Sequence, residues 1–322
     1  MISLVIPVYK NAEGISALVA ALEQIDRALA GALEVVFVVD GSPDDSYLRL
    51  AAELPRARFR SQLLLLSRNF GSFSAIRAGL AAGSGEHFAV MAADLQEPPE
   101  LVVEFARRLQ AGGCDIVIGQ RTGRSDPLLS RSFSAAFWGF YRRFIQSEVP
   151  DGGVDVFGCT RAVRDQLVQL GELNSSLVGL LFWVGFRREH VPYVRRARQT
   201  GRSGWTFKRK LTYLMDSVFS FSDLPIKVLL RIGVLGLLLS VVLSAAVLTA
   251  KLLGTIPVPG YAATALIVTF FGALNCFGLG TIGGYVWRTF ENTKARPSYI
   301  VASSCRFEAP PPDSLPPGSS HG

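Results

Sequence analysis

Residues 87–100 read H-F-A-V-M-A-A-D-L-Q-E-P-P-E, and the rest of the chain is arranged around them. His87–Ala93 is an apolar run of strand length that stops at Asp94. Gln96 and Glu97 follow, and then Pro98-Pro99 with Glu100, a proline-and-acid helix start. A buried strand ending in a carboxylate and an amide presents both at the C-terminal edge of a sheet, where open α/β folds take their ligands. Oxygen groups of this kind suit a hard divalent cation bridging a diphosphate. Standing alone, Asp94 would be read as a helix cap; its neighbours reverse that preference.

Outward from this stretch, β-branched runs alternate with amphipathic ones. Strands are expected at Ile2–Val8, Leu33–Val39, Gln62–Leu66, His87–Ala93 and Ile116–Gly119. Helices are expected near Ile15–Ala30, Asp45–Leu54, Ser74–Ala82 and Glu100–Ala111. This alternation predicts an α/β fold, a mainly parallel sheet with helices on both faces. No G-x-G-x-x-G follows the first strand, which argues against a nicotinamide dinucleotide site. The strand ends carry polar clusters: Pro7-Val8-Tyr9, Asp40-Gly41-Ser42-Pro43-Asp44, and Ser67-Arg68-Asn69-Phe70-Gly71. Each serves a turn as readily as a ligand. Together on one edge, they suggest Tyr9 covering a ring, Asp40 accepting from a base or ribose, and Arg68 facing a phosphate.

The chain has 322 residues, 49% hydrophobic and 18% charged, with a net charge of +7. Its basic residues concentrate between Arg187 and Arg231 and are not interleaved with stacking aromatics, so no nucleic-acid partner is expected. Anionic membrane or phosphate ligands suit them better. Four scattered cysteines give neither metal spacing nor a disulfide framework. The opening M-I-S-L-V-I-P-V-Y lacks a basic n-region and reads as the first strand.

I-P-V-Y, V-V-D-G-S-P-D, S-R-N-F-G and A-A-D-L-Q-E-P-P-E, in this order and spacing, resemble family 2 glycosyltransferases of GT-A, Rossmann-like fold. The likeness is to the polyprenyl-phosphate group, which includes dolichol-phosphate mannose synthase and bactoprenol glucosyl transferases, and it runs from Ile2 to about Pro297. It implies inverting transfer from a nucleotide-sugar to polyprenyl phosphate. The donor would lie on Pro7, Tyr9, Asp40, Arg68 and Asp94. A weakly held Mg2+ or Mn2+ would sit on Asp94 and Gln96, and the lipid phosphate on Arg121 and Arg131. Asp94 and Asp155 would be the catalytic carboxylates, with Asp155 positioning the acceptor. Four positions depart from the family pattern: Val39 and Ala92 replace carboxylates, Phe157 an arginine and Gly204 a lysine. These departures keep alive a second reading, a degenerate transferase serving as a scaffold or partner subunit. A polysaccharide synthase is a weaker third, since Gln-x-x-Arg-Trp is absent.

Phe133–Phe144 places an aromatic stripe on one helical face, compatible with core or with an interfacial helix. Ile232–Ala250 is 19 residues without a charge, and Leu252–Trp287 is uncharged as well. A span needs about 20 apolar residues, so two transmembrane helices are expected, with basic flanks placing both ends in the cytoplasm. The organisation expected is a cytoplasmic catalytic domain over 1–204, an amphipathic juxtamembrane helix over 205–225, a transmembrane hairpin over 226–290 and a largely disordered tail over 291–322. The protein would thus be integral to a membrane, the bacterial inner membrane, with self-association compatible.

Overall fold

The computed structural model describes residues 1–122, 139, 141–143, 148–150, 154–170, 176–196, 215–253 and 260–309. The first half alternates as expected: β1 (Ile2–Val8), α1 (Ile15–Ala28), β2 (Leu33–Val39), α2 (Ser46–Glu53), β3 (Arg60–Leu66), α3 (Ser72–Ala82), β4 (His87–Val90), α4 (Glu100–Gln110) and β5 (Ile116–Arg121). Then come β6 (Phe157–Thr160), α5 (Arg161–Gln169), α6 (Leu177–Trp183), β7 (Arg188–Tyr193), a helical segment at 215–221, α7 (Leu224–Leu252), α8 (Tyr261–Thr293) and β8 (Val301–Phe307).

All eight strands form one sheet, in the order β7-β5-β6-β4-β1-β2-β3-β8. Pairing is parallel from β4 through β1 and β2 to β3, and again between β5 and β7. β6 runs antiparallel to both β4 and β5, and β8 antiparallel to β3. The sheet is therefore mixed. Buried apolar residues fill both faces: Leu4, Ile6, Val35 and Phe37 pack with Leu18, Leu22 and Phe105, while Val5, Val36 and Val38 pack with Ala78, Leu80, Val163 and Leu181. Two covered faces explain why β1 and β2 are continuously apolar instead of alternating.

The edge away from the strand C-termini is pinned by a buried carboxylate. Glu34 accepts from Ser3 Oγ, from Gln62 Nε2 at 2.8 Å, and from Ser84 N and Oγ at 2.8 and 2.9 Å. Burial opposes its ionisation, yet these four donors leave its pKa lowered.

β4 ends at Val90, three residues short of the apolar run. The backbone turns away there, and the Ala93 carbonyl accepts from Asn11 Nδ2 at 3.0 Å, so the last apolar residues build the edge loop. Sequence periodicity anticipates none of β6, β7 and β8. β7 contains Pro192, which an outermost strand tolerates. β8 lies within residues 291–322, expected as a tail, while residues 310–322 lie outside those described.

The membrane expectation is corrected. The uncharged runs contribute to two helices, α7 and α8, but among the described residues no helix is long and apolar enough to cross a membrane. α7 takes Lys227 and Arg231 inside its bounds, and α8 dilutes its apolar residues with glycine, threonine and asparagine before reaching Arg288 and Glu291. The two-span, multi-pass placement in the bacterial inner membrane, with its cytoplasmic catalytic domain, is therefore not supported. Leu235, Leu238, Val242, Phe277, Leu279 and Trp287 are exposed on these helices. The Phe133–Phe144 stripe and the 205–214 part of the expected juxtamembrane helix lie mostly or wholly outside the described residues.

Candidate active site

The loops after β1, β2, β3 and β4 meet at the C-terminal edge of the sheet and are tied to one another. Asp40, at the end of β2, is 3% exposed. Its two carboxylate oxygens accept from Phe70 N at 2.7 Å and Gly71 N at 2.8 Å. Burial raises its pKa, against those two amides and Arg68. A ligand is thus offered little of Asp40; the residue clamps the Arg68–Gly71 loop. Gly41 permits the close approach, since its φ is +55° and a Cβ there would lie 2.2 Å from the Arg68 carbonyl carbon. Asp44, in a cluster that reads equally as turn or ligand, accepts from Ala12 N at 3.0 Å and from the hydroxyls of Ser42 and Ser46 at 2.6 and 2.7 Å. Those donors outweigh burial and lower its pKa.

Above this clamped floor stand the groups that face outward. Tyr9 is 41% exposed, with Lys10 Nζ over its ring. Pro7 is half-buried beside it. Arg68 is exposed, its guanidinium 4.0 Å from the Phe70 ring centroid. Asp94 is half-buried at the end of the β4 run, Oδ1 accepting from Gln96 N at 3.3 Å. Lys10 and Leu95, both with φ of 52°, hold left-handed backbone on either side of this edge. Such conformations cost about 1–3 kcal/mol and gather at functional sites.

The other half of the edge is built from β5, β6 and β7. Arg121 and Tyr193 stand in register at the ends of two parallel strands. β6 runs the opposite way, so Asp155, two residues before it, comes to the same edge. Arg121 pairs with Asp155, which also accepts from Tyr193 Oη at 3.2 Å. Burial acts to lower the Arg121 pKa, but the Asp155 carboxylate reverses this and the net shift is upward. Burial, with Asp155 beside it, raises Tyr193. Arg131 and Arg124 lie outside the described residues.

The segment after β7 then crosses back to β4. Arg196 N donates to Gln96 O at 2.8 Å, and the Arg195 guanidinium donates to Gln96 Oε1. Arg195 also lies 3.9 Å from Glu97, a carboxyl only 1% exposed with no hydrogen-bond partner on either oxygen among the described residues. Burial, then Asp155 and Asp94, push Glu97 up to about 7, against Arg195. Sequence reasoning missed Tyr193, Arg195 and Glu97. The available signals were the basic cluster beginning at Arg187 and a third acid-or-amide position in the D-L-Q-E run.

Among the described residues no group of three or more His, Cys, Asp or Glu side chains is disposed to hold a metal ion. The expected pair fits in part. Asp94 stands at a strand end where a hard cation takes carboxylate oxygen. The Gln96 side-chain oxygen is engaged by Arg195. The residues thus fit a cation that draws most of its oxygens from a bound diphosphate and water, not a complete protein cage.

The glycosyl transferase family 2 model matches residues 3–170. The chain is 30% identical over 309 residues to the SfII prophage-derived bactoprenol glucosyl transferase of Shigella flexneri, covering 95% of this chain and 98% of that one. It is 31% identical over 315 residues to the uncharacterized glycosyltransferase sll0501 of Synechocystis, covering 98% of each. A solved structure of glucosyl-3-phosphoglycerate synthase from Mycobacterium tuberculosis, in complex with Mn2+, uridine diphosphate and glucosyl-3-phosphoglycerate, is similar at a TM-score of 0.41 and 20% identity, covering 63% of this chain and 73% of that one. The polar strand-end motifs, the mixed sheet that gathers them, and likeness along almost the whole chain agree: this protein is a transferase belonging to glycosyl transferase family 2.

Proposed function

We propose that the protein moves a sugar, with inversion, from a nucleotide-sugar to a polyprenyl phosphate. The observation that carries this is the division of one sheet edge. A clamped half holds Tyr9, Arg68 and Asp94, and a facing half opposes Arg121 to Asp155. Likeness to a bactoprenol glucosyl transferase over almost the full chain favours a polyprenyl acceptor. The nucleotide-sugar lies on the clamped half, with Pro7 and Tyr9 beside the base and Arg68 toward phosphate. The lipid phosphate lies toward Arg121, whose guanidinium Asp155 and Tyr193 aim.

An acceptor phosphate with a second pKa near ~6 is already largely ionised at neutral pH, so no strong general base is needed. Its oxygen attacks the anomeric carbon as the bond from that carbon to the diphosphate oxygen breaks. The products are a glycosyl phosphopolyprenol and a nucleoside diphosphate. Asp155 acts as a positioning carboxylate, holding Arg121 so that the acceptor approaches in line. Asp94 would hold a divalent cation, Mg2+ or Mn2+, which when bound supplies charge neutralisation on the diphosphate.

The test is incubation of the full-length protein in detergent with undecaprenyl phosphate, a panel of labelled nucleotide-sugars and Mg2+ or Mn2+. We expect label in the lipid extract for one donor, inverted anomeric configuration by NMR, and about 100-fold or greater loss in Asp94→Ala. No labelled lipid with any donor would sink the reading. In that case nucleotide-sugar binding by calorimetry separates a different acceptor from a degenerate scaffold.

A further inference from the structure

The transfer described above gives Arg195 no task, yet the fold fixes it with some care. The backbone on one side is tied by Thr122, whose N and Oγ1 both donate to Tyr193 O, at 2.8 and 3.1 Å. On the other side, Arg196 N reaches Gln96 O. Between these anchors the Arg195 side chain donates from Nη2 to Gln96 Oε1, its one hydrogen bond among the described residues. A guanidinium carries five N–H donors. Among the described residues its Nε is buried without a partner, and the nearest carboxylate, Glu97, lies 3.9 Å away, beyond hydrogen-bonding reach. The side chain is 32% exposed, so part of it reaches the site edge.

A cation with several unspent donors, held by the side chain of Gln96 two residues after Asp94, is a binding group for an oxyanion. The chain also has a need for it. Among the described residues no cluster of three or more acidic or other metal-ligating side chains stands around Asp94 to gather positive charge on a diphosphate. We propose that Arg195 binds the diphosphate of the sugar donor, with Gln96 serving as the holder of its guanidinium. This rests on the nucleotide-sugar reading. The donor is favoured over the lipid phosphate because the contact falls on the β4 loop, next to β1, whereas the Arg121–Asp155 pair lies beyond β6.

Full-length wild type, Arg195→Ala and Arg195→Lys are to be compared by calorimetry with UDP, GDP and inorganic pyrophosphate, each in EDTA and in Mg2+. Donor and acceptor KM are measured alongside. We expect wild type to bind at least one nucleoside diphosphate in EDTA, and the alanine variant to lose about tenfold or more in that affinity. Its donor KM should rise in step while acceptor KM holds. Lysine should recover part of the loss, since an ammonium lacks the planar fork. Wild-type donor KM and diphosphate affinity in both variants, with transfer intact, would overturn the proposal. A rise in acceptor KM alone would also overturn it, giving Arg195 to the lipid phosphate. If the alanine variant fails to fold, a folded lysine variant with unchanged donor KM overturns it on its own. Absence of all transfer and all nucleotide binding in wild type would instead remove the transferase reading beneath it.

Discussion

The two halves of the site edge use carboxylates in opposite ways. On the β1–β2–β3 side, Asp40 and Asp44 are spent on backbone amides and serine hydroxyls, and what remains for a ligand is a ring and two cations. On the β5–β6–β7 side, the Asp155 carboxylate faces guanidinium and phenol, and Glu97, on the β4 loop that meets this side, is buried without a hydrogen bond among the described residues. The first half is satisfied and should respond to mutation through stability. The second is under tension and should respond through pH and KM.

The largest expected effect tests the strained half. Glu97 sits at about 7 in the fold, against 4.5 for an unperturbed glutamate, with Asp155, Asp94 and Arg195 around it. Because the folded pKa is the higher one, the folded state binds the proton more tightly. Stability from this group is then greatest below pH 4.5 and falls as pH rises through 7. Glu97→Gln removes that fall. Its unfolding free energy should match wild type near pH 4.5 and exceed it at pH 8, by on the order of 2–3 kcal/mol. Equal differences at both pH values would break the contrast. Next, Asp40→Ala should cost about 2 kcal/mol in denaturant unfolding, the loss of two charge-assisted bonds less the relief of a buried charge. A full-stability variant with a selectively raised donor KM would make Asp40 a ligand group after all.

Arg121→Ala should raise acceptor KM about tenfold with nucleotide affinity unchanged; equal loss of both would move Arg121 to the donor. The smallest effect is Glu104→Gln. Hydrogen bonds from Arg107 and Arg108 hold this carboxyl down to about 2. The pairs lie at the surface, so the change should cost only about 0.5 kcal/mol by thermal melting. A larger loss would mean that charge pairs away from the site edge matter as much as those on it.

Much of the first half was legible because a strand covered on both faces must be apolar throughout. β1 and β2 carry the bounds read for them, and Asp94 falls on the edge as expected. β6, β7 and β8 were not legible, because β6 has only four residues, and R-E-H-V-P-Y and V-A-S-S-C-R-F are partly polar edge strands defined by long-range partners. The roles within the site were less legible than its location. Sequence gives Asp40 and Asp44 as acceptors, but only tertiary contact shows that their donors are the chain's own amides.

β8 also sets an order of events in synthesis. Ser61 of β3 pairs with Phe307, so the sheet closes on this side only after the α7–α8 stretch has been made. Until then β3 carries a bare row of amides and carbonyls, a template for another strand. A contact spanning so much sequence is slow to form. The nascent chain should therefore pass through a seven-strand stage whose open flank invites pairing between chains. A chain halted at residue 299 should aggregate on release from the ribosome more readily than the full chain, and supplying the 300–309 peptide in trans should suppress this. Equal aggregation of both chains would show that the flank is harmless.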